Sequence, residues 1–207
     1  MPILSDDRLN MNFIAYTKRL EKYRCYSDTM ISELGERLKR CPFSVSESGG
    51  GSYDGGMIEV VLKILCNIAY RINELGFGDD GKGKTAFPLL KVNNDMLMRV
   101  LLLQHISKAE MFIYQPDNWK RKNGRFYEFN DDLQANLRTG ERSLYLCQRY
   151  GINLTEEEYE AIRIIDRPDE QKGDAFMSPL CMLSKMANQL TALELRQRYE
   201  KELREKQ

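Results

Sequence analysis

Histidine is nearly missing from this 207-residue chain, which carries one, His105. A metal centre built mainly from imidazoles is thereby excluded, because it needs several such rings. No uncharged apolar run comes near the ~20 residues that cross a bilayer, so no transmembrane helix is expected. An excess charge is lacking too: Lys plus Arg and Asp plus Glu both total 31, for a net charge of zero. Global electrostatics therefore do not favour non-specific nucleic-acid binding, although local patches remain open. The five cysteines, Cys25, Cys41, Cys66, Cys147 and Cys181, are odd in number and form no Cys-x-x-Cys pair. Reduced, mostly buried thiols are expected rather than a zinc cluster or a disulfide framework. Nor is there a basic and apolar leader pattern, since Met1-Pro2-Ile3-Leu4 runs straight into Ser5-Asp6-Asp7-Arg8. A cytoplasmic location is the resulting expectation.

What is present is a soluble, globular balance, with 42% hydrophobic and 30% charged residues. Helical periodicity dominates. Leu9, Phe13, Tyr16, Leu20 and Tyr23, then Met30, Leu34 and Leu38, recur every three or four residues and predict two helices or one bent helix over 6–40. A Ser/Gly-rich stretch, Cys41 to Gly56, carries too much glycine for regular structure. Further helices are predicted over 57–75, over about 20 residues from Pro88 or Asp95 through Lys108, and over 139–150 with Gly151 as its cap. One more opens at the capping box Thr155-Glu156-Glu157-Glu158, and a last one starts at Ser178-Pro179. Between them, Asn123-Gly124 flanked by aromatic residues predicts a hairpin at about 111–129. The fold class is mainly α with one small hairpin. It divides into an N-terminal helical segment, 1–40, packed on the core, a main helical domain, 41–195, and a charged helix end, 196–207.

Several segments have a chemical reading. Gly78-Asp79-Asp80-Gly81-Lys82-Gly83-Lys84-Thr85 matches the P-loop pattern, but a helix precedes it and Pro88 follows it. A phosphate-cradling loop needs a strand before and a helix directly after, so a charged connection is expected. The glycines before Met57 open a helix and either hold an anion or form a plain loop. Trp119, Lys120, Arg121, Lys122, Arg125, Phe126 and Tyr127 interleave cations with aromatic rings. Such a ribbon is a solvated edge whose lysines block strand pairing, or a surface for single-stranded nucleic acid or an acidic partner. The charge-laced end from Leu193 is a solvated helix, with a partner-binding or dimer-forming role as the alternative.

Short segments in a common order then resemble the small bacterial members of the HD-domain metal-dependent phosphohydrolases. Cys41-Pro42-Phe43-Ser44 with Tyr53-Asp54-Gly55-Gly56-Met57-Ile58-Glu59 resembles the family's stretch ending in Glu-His, with Val60 in place of that histidine. Leu101-Leu102-Leu103-Gln104-His105-Ile106-Ser107-Lys108 resembles the helix bearing the family's His-Asp pair, with Gln104-His105 in its place and Lys108 retained. Gly140-Glu141-Arg142-Ser143, Ala161-Ile162-Arg163 and Met186-Ala187-Asn188 resemble three further segments, with Thr139, Ile165 and Asn188 at the ligand positions.

The resemblance implies an HD-like helical bundle over about 41–195. It also implies a dismantled hydrolytic centre, because a metal that lowers the pKa of bound water needs several imidazole and carboxylate ligands. Val60 and Ile165 offer no lone pairs, and Thr139, Asn188 and Gln104 are weak neutral donors. A divalent metal cofactor is not expected, beyond an adventitious ion at Asp54, Glu59 or His105. Gln104, His105, Lys108 and Asn188 are expected to face one region, with Glu59 nearby and Asp54 at the head of the following helix. They either satisfy one another by hydrogen bonds or line a pocket for a phosphate-containing small molecule. The reading is an inactive relative with a binding, regulatory or structural role. The alternatives are a phosphohydrolase with an atypical site, using His105 and Lys108 as catalytic groups, and nucleic-acid or acidic-partner binding through the hairpin. Partners, including a second copy of the chain, are left open.

Overall fold

A computed structural model describes residues 4–75, 92–123, 125–133, 136–166 and 177–205. The P-loop-like segment 78–85, Gly76, Pro88 and Gly124 lie outside the described residues. The chain is mainly helical. Helices α1 (Asp6–Lys22) and α2 (Asp28–Arg40) are followed by a short 3₁₀ turn, Glu47–Gly49, and by α3 (Gly56–Val60), which runs through a π-helical turn, Val61–Leu65, into α4 (Cys66–Leu75). Then come α5 (Asn94–Leu103), α6 (Lys108–Met111), β1 (Phe112–Tyr114), α7 (Asn118–Lys122), β2 (Tyr127–Phe129), α8 (Thr139–Arg149), α9 (Glu156–Arg163) and α10 (Pro179–Glu205). No described helix is long and apolar enough to cross a membrane.

Local chemistry sets most of these boundaries. Side chains of Ser5, Ser27 and Asn93 accept the first free N–H groups of α1, α2 and α5. The Thr155/Glu158 capping box opens α9, and Gly151 takes the left-handed conformation after α8. Helix α5 has apolar side chains on nearly every face, with Leu97, Val100, Leu101, Leu102 and Leu103 all buried. It is accordingly the central helix, packed against α1, α4, α9 and α10. The N-terminal helices share this core, and Tyr16 donates its hydroxyl to the Leu102 carbonyl at 2.7 Å. All five cysteines are free and buried.

Three expectations need correction. The helix ending at Lys108 is not continuous: α5 stops at Leu103 and turns occupy 104–107 before α6 begins. The stretch 41–56 is not wholly irregular, since it holds the 3₁₀ turn and is clamped by Phe43 N–H to Gly51 O at 2.8 Å and Met57 N–H to Cys41 O at 3.0 Å. Glycine is required at its end, where Gly55 has φ 77° and a Cβ on Gly56 would sit 2.0 Å from the Gly51 carbonyl oxygen.

The third correction concerns the turn of the hairpin, which itself lies within the expected 111–129. The antiparallel partners are Phe112 with Phe129, Ile113 with Glu128 and Tyr114 with Tyr127, so the connection is long and contains α7. Trp119-Lys120-Arg121-Lys122 is thus helical, because Asp117 accepts from the N–H groups of Trp119 and Lys120 and starts a turn of helix. Those lysines do not line a strand edge.

Candidate functional site

The break after α5 places two consecutive polar side chains, Gln104 and His105, inside the protein. Its backbone is held by α8: Ser143 Oγ lies 3.0 Å from both the Gln104 carbonyl and Ser107 Oγ, while Ser107 donates to the Thr139 carbonyl at 2.8 Å. Helix α10 closes the other side with Ser184 and Asn188, one turn apart on the same face. Asn188 Nδ2 donates to Gln104 Oε1 at 3.1 Å and to the Ser184 carbonyl at 2.8 Å; Ser184 Oγ also donates to Gln104 Oε1, at 3.1 Å. In return, Asn188 Oδ1 accepts from Gln104 Nε2 at 3.4 Å and from His105 Nε2 at 3.1 Å.

An amide oxygen only accepts, so this bond fixes the proton of His105 on Nε2. Nδ1 then carries a lone pair, buried and without a hydrogen-bond partner among the described residues. Burial, with the nearby Lys108 charge adding to it, pushes the imidazole well below its usual range and keeps it neutral. Lys108 is buried as well. Its ammonium donates to the Phe43 carbonyl at 2.7 Å and lies 3.6 Å from the centre of the Phe43 ring, whose plane also meets His105 edge-on at 5.1 Å. Burial brings its pKa down to about 8, opposed by Cys41 and Asp166.

The two acidic candidates belong to other networks. Glu59 accepts from Arg8 and Lys63, both at 2.6 Å, and from Tyr53 at 3.0 Å. It stays ionised: burial opposes the charge, but the Lys63 and Tyr53 hydrogen bonds prevail and lower its pKa. Asp54 accepts from Tyr127 and, at 3.1 Å, from Arg40. Gln104, His105 and Asn188 are therefore brought together, Lys108 adjoins them through Phe43, and Glu59 and Asp54 hydrogen-bond none of the four.

A hydrolytic metal does not fit these residues. Both amide oxygens at the centre already accept two hydrogen bonds each, and among the described residues His105 Nδ1 is the cluster's buried side-chain polar atom that makes no hydrogen bond. Val60 packs with Ile64 and Leu195 as a hydrophobic contact. Among the described residues, no group of three or more His, Cys, Asp or Glu side chains is placed to hold a metal ion.

The structure adds residues that the sequence did not single out. Ser184 and Ser143 complete the cluster; Ser184 lies four residues before Asn188, a spacing that signals a shared helix face. A cleft of about 280 Å³ between the Gly-rich segment and α10 is lined by Ser52, Tyr53, Glu59, Lys63, Leu195 and Arg198, among others. Of the six site candidates, Glu59 alone reaches it. No protein-family model matches this sequence, and neither the curated proteins nor the solved structures contain a match.

A pH dependence follows from the neutral imidazole. The unfolded chain takes up a proton at His105 near pH 6.5, whereas the folded chain resists it until well below that. Stability is complete above the unfolded value and is lost as pH falls beneath it. His105 is the sole histidine, so no other imidazole titrates between pH 7.5 and 5.5. The urea midpoint is expected to fall across that interval, and His105→Gln, which keeps a donor for Asn188, is expected to flatten the fall. Equal slopes in the two proteins would contradict it.

Proposed function

We propose that this chain is an HD-like helical domain that has lost metal-dependent hydrolysis and acts as a binding, regulatory or structural protein. The observation that carries the reading is the closed cluster of Gln104, His105, Ser184 and Asn188. Hydrogen bonds among neutral groups join Gln104 and Asn188, two of the positions at which the resemblance expects metal ligands. His105 Nε2 is committed to Asn188 and the Lys108 amine to the Phe43 carbonyl, and the ring nitrogen that makes no hydrogen bond among the described residues, Nδ1, is buried. A neutral buried cluster of this kind specifies a core and joins α5, α8 and α10.

The expected result is that purified protein carries no stoichiometric transition metal by elemental analysis. It should also turn over no nucleotide or phosphate ester when supplied with Mg²⁺, Mn²⁺ or Zn²⁺. Tightly bound metal together with phosphatase activity that disappears in His105→Ala would overturn the proposal.

A further inference from the structure

Outside the buried cluster, the most unusual surface is the β1–α7–β2 ribbon. Residues i and i+2 of a strand share a face, so the register puts Phe112, Tyr114, Tyr127 and Phe129 on one side of the two strands. Phe112 and Tyr127 are turned inward, and Phe112 meets Phe129 edge-on at 5.3 Å. Tyr127 is fixed by its hydroxyl on Asp54. The other diagonal, Tyr114 and Phe129, is more than half exposed, at 57% and 55%. Diagonal cross-strand neighbours of this type stand roughly 7–8 Å apart. Trp119 on α7 is 72% exposed, so three large aromatic side chains are left to solvent on one small element.

Cations are carried by α7 and the loop after it. Arg121 lies over Tyr114 at 5.4 Å and anchors α7 by donating to the carbonyls of Gln115 and Pro116. Lys120 is paired with Glu128 at 3.5 Å. Lys122 and Arg125 are exposed and make no ion pair among the described residues. Phe129 also forms one wall of a cleft of about 320 Å³ whose lining includes Met111, Leu137, Arg142 and the acidic Asp131. Because the cations sit on a helix and a loop, they do not protect a strand edge from pairing.

We propose that this ribbon binds single-stranded nucleic acid, with bases stacking on Tyr114, Trp119 and Phe129 and phosphates meeting Lys122 and Arg125. Exposed flat rings on an element that also carries two exposed cations outside any ion pair among the described residues match a chain of bases strung on an anionic backbone. An acidic peptide without aromatic residues supplies the charge but no planar groups for three rings, and a duplex hides its base faces. The binding is modest and local, as a chain with zero net charge requires.

Trp119 is the only tryptophan, so its emission reports this element alone. Titration of the whole protein at low salt with an oligothymidylate of about twelve nucleotides is expected to quench it by stacking. The slope of log affinity against log salt is expected near about −1.4, from two phosphate contacts at ~0.7 each. With a labelled oligonucleotide read by anisotropy, Tyr114→Ala and Phe129→Ala should each weaken binding about tenfold. Lys122→Glu combined with Arg125→Glu should remove most of the salt dependence. All four are surface changes, and an unchanged helical circular dichroism signal confirms that the variants remain folded. The proposal is overturned by no quenching, by equal quenching with polyglutamate, which marks an acidic-protein surface, or by duplex binding as tight as single-strand binding.

Discussion

Replacing Arg99 by methionine is expected to lower stability by about 3–5 kcal/mol, the usual result of removing one member of a buried ion pair. Arg99 on α5 donates Nε to Glu158 Oε1 at 2.6 Å, and the side chains are 16% and 2% exposed. Its other nitrogens donate to the carbonyls of Tyr23, Arg24 and Asn153. One guanidinium therefore ties the α1–α2 turn and the α8–α9 turn to the central helix. Methionine fills the volume but leaves a buried carboxylate and three carbonyls without their donor. Glu158 is worse placed than most to tolerate this, because its second oxygen accepts the Thr155 N–H that starts α9. Thermal unfolding should shift downward by roughly 10 °C for a chain of this length. Adding Glu158→Leu should recover part of the loss, since no orphaned charge is then buried, although the cap is not restored. A single-variant loss below about 1 kcal/mol would show that the pair contributes no more than an exposed one.

The second large effect is expected at Asn188. Asn188→Leu is close in size but leaves His105 Nε2–H and Gln104 Nε2–H without acceptors in a buried site. Each unsatisfied buried donor costs about 1–3 kcal/mol, so a loss of roughly 3 kcal/mol in urea unfolding is expected. Asn188→Asp provides the discriminating comparison. A carboxylate at that position still accepts from both donors, and its charge favours the imidazolium, so the His105 pKa should rise toward or above the ordinary range. Histidine proton resonances followed against pH would show the shift. An unmoved imidazole in Asn188→Asp would mean that the His105–Asn188 hydrogen bond is not what holds the ring.

These two clusters also mark where sequence reading stopped. Helix starts at Thr155 and Ser178, and the stop at Gly151, were legible because the bonds that make them run between residues three or four apart. The gathering of Gln104, His105 and Asn188 was expected only from the family resemblance of the segments that contain them, not from periodicity or spacing. By contrast, the break after Leu103 depends on Ser107 and Ser143, 36 residues apart, exchanging hydrogen bonds. Nothing in the apolar run 100–103 signals it. The misreading at 119–122 has a local cause. The Asn-Gly dipeptide outweighed Asp117, whose capping of α7 was the available clue. Arg99 reads as one more polar residue in a helix, and only the approach of two distant turns and of Glu158 on α9 gives it four acceptors.

The π-helical turn at 61–65 has a consequence for how this chain tolerates insertions and deletions. There the Cys66 N–H donates to the Val61 carbonyl, five residues back rather than four. The extra residue rotates everything downstream by roughly 100° relative to an uninterrupted helix. Upstream, Glu59 and Val60 face the cleft; downstream, Asn73 reaches the Val92 backbone and Asn94. Both azimuths are met because the helix slips by one position between them. Excising a single residue from 61–65 would make the hydrogen-bond ladder regular and, in doing so, swing Asn73 away from α5. In this stretch the irregular ladder is the one that keeps both ends in phase.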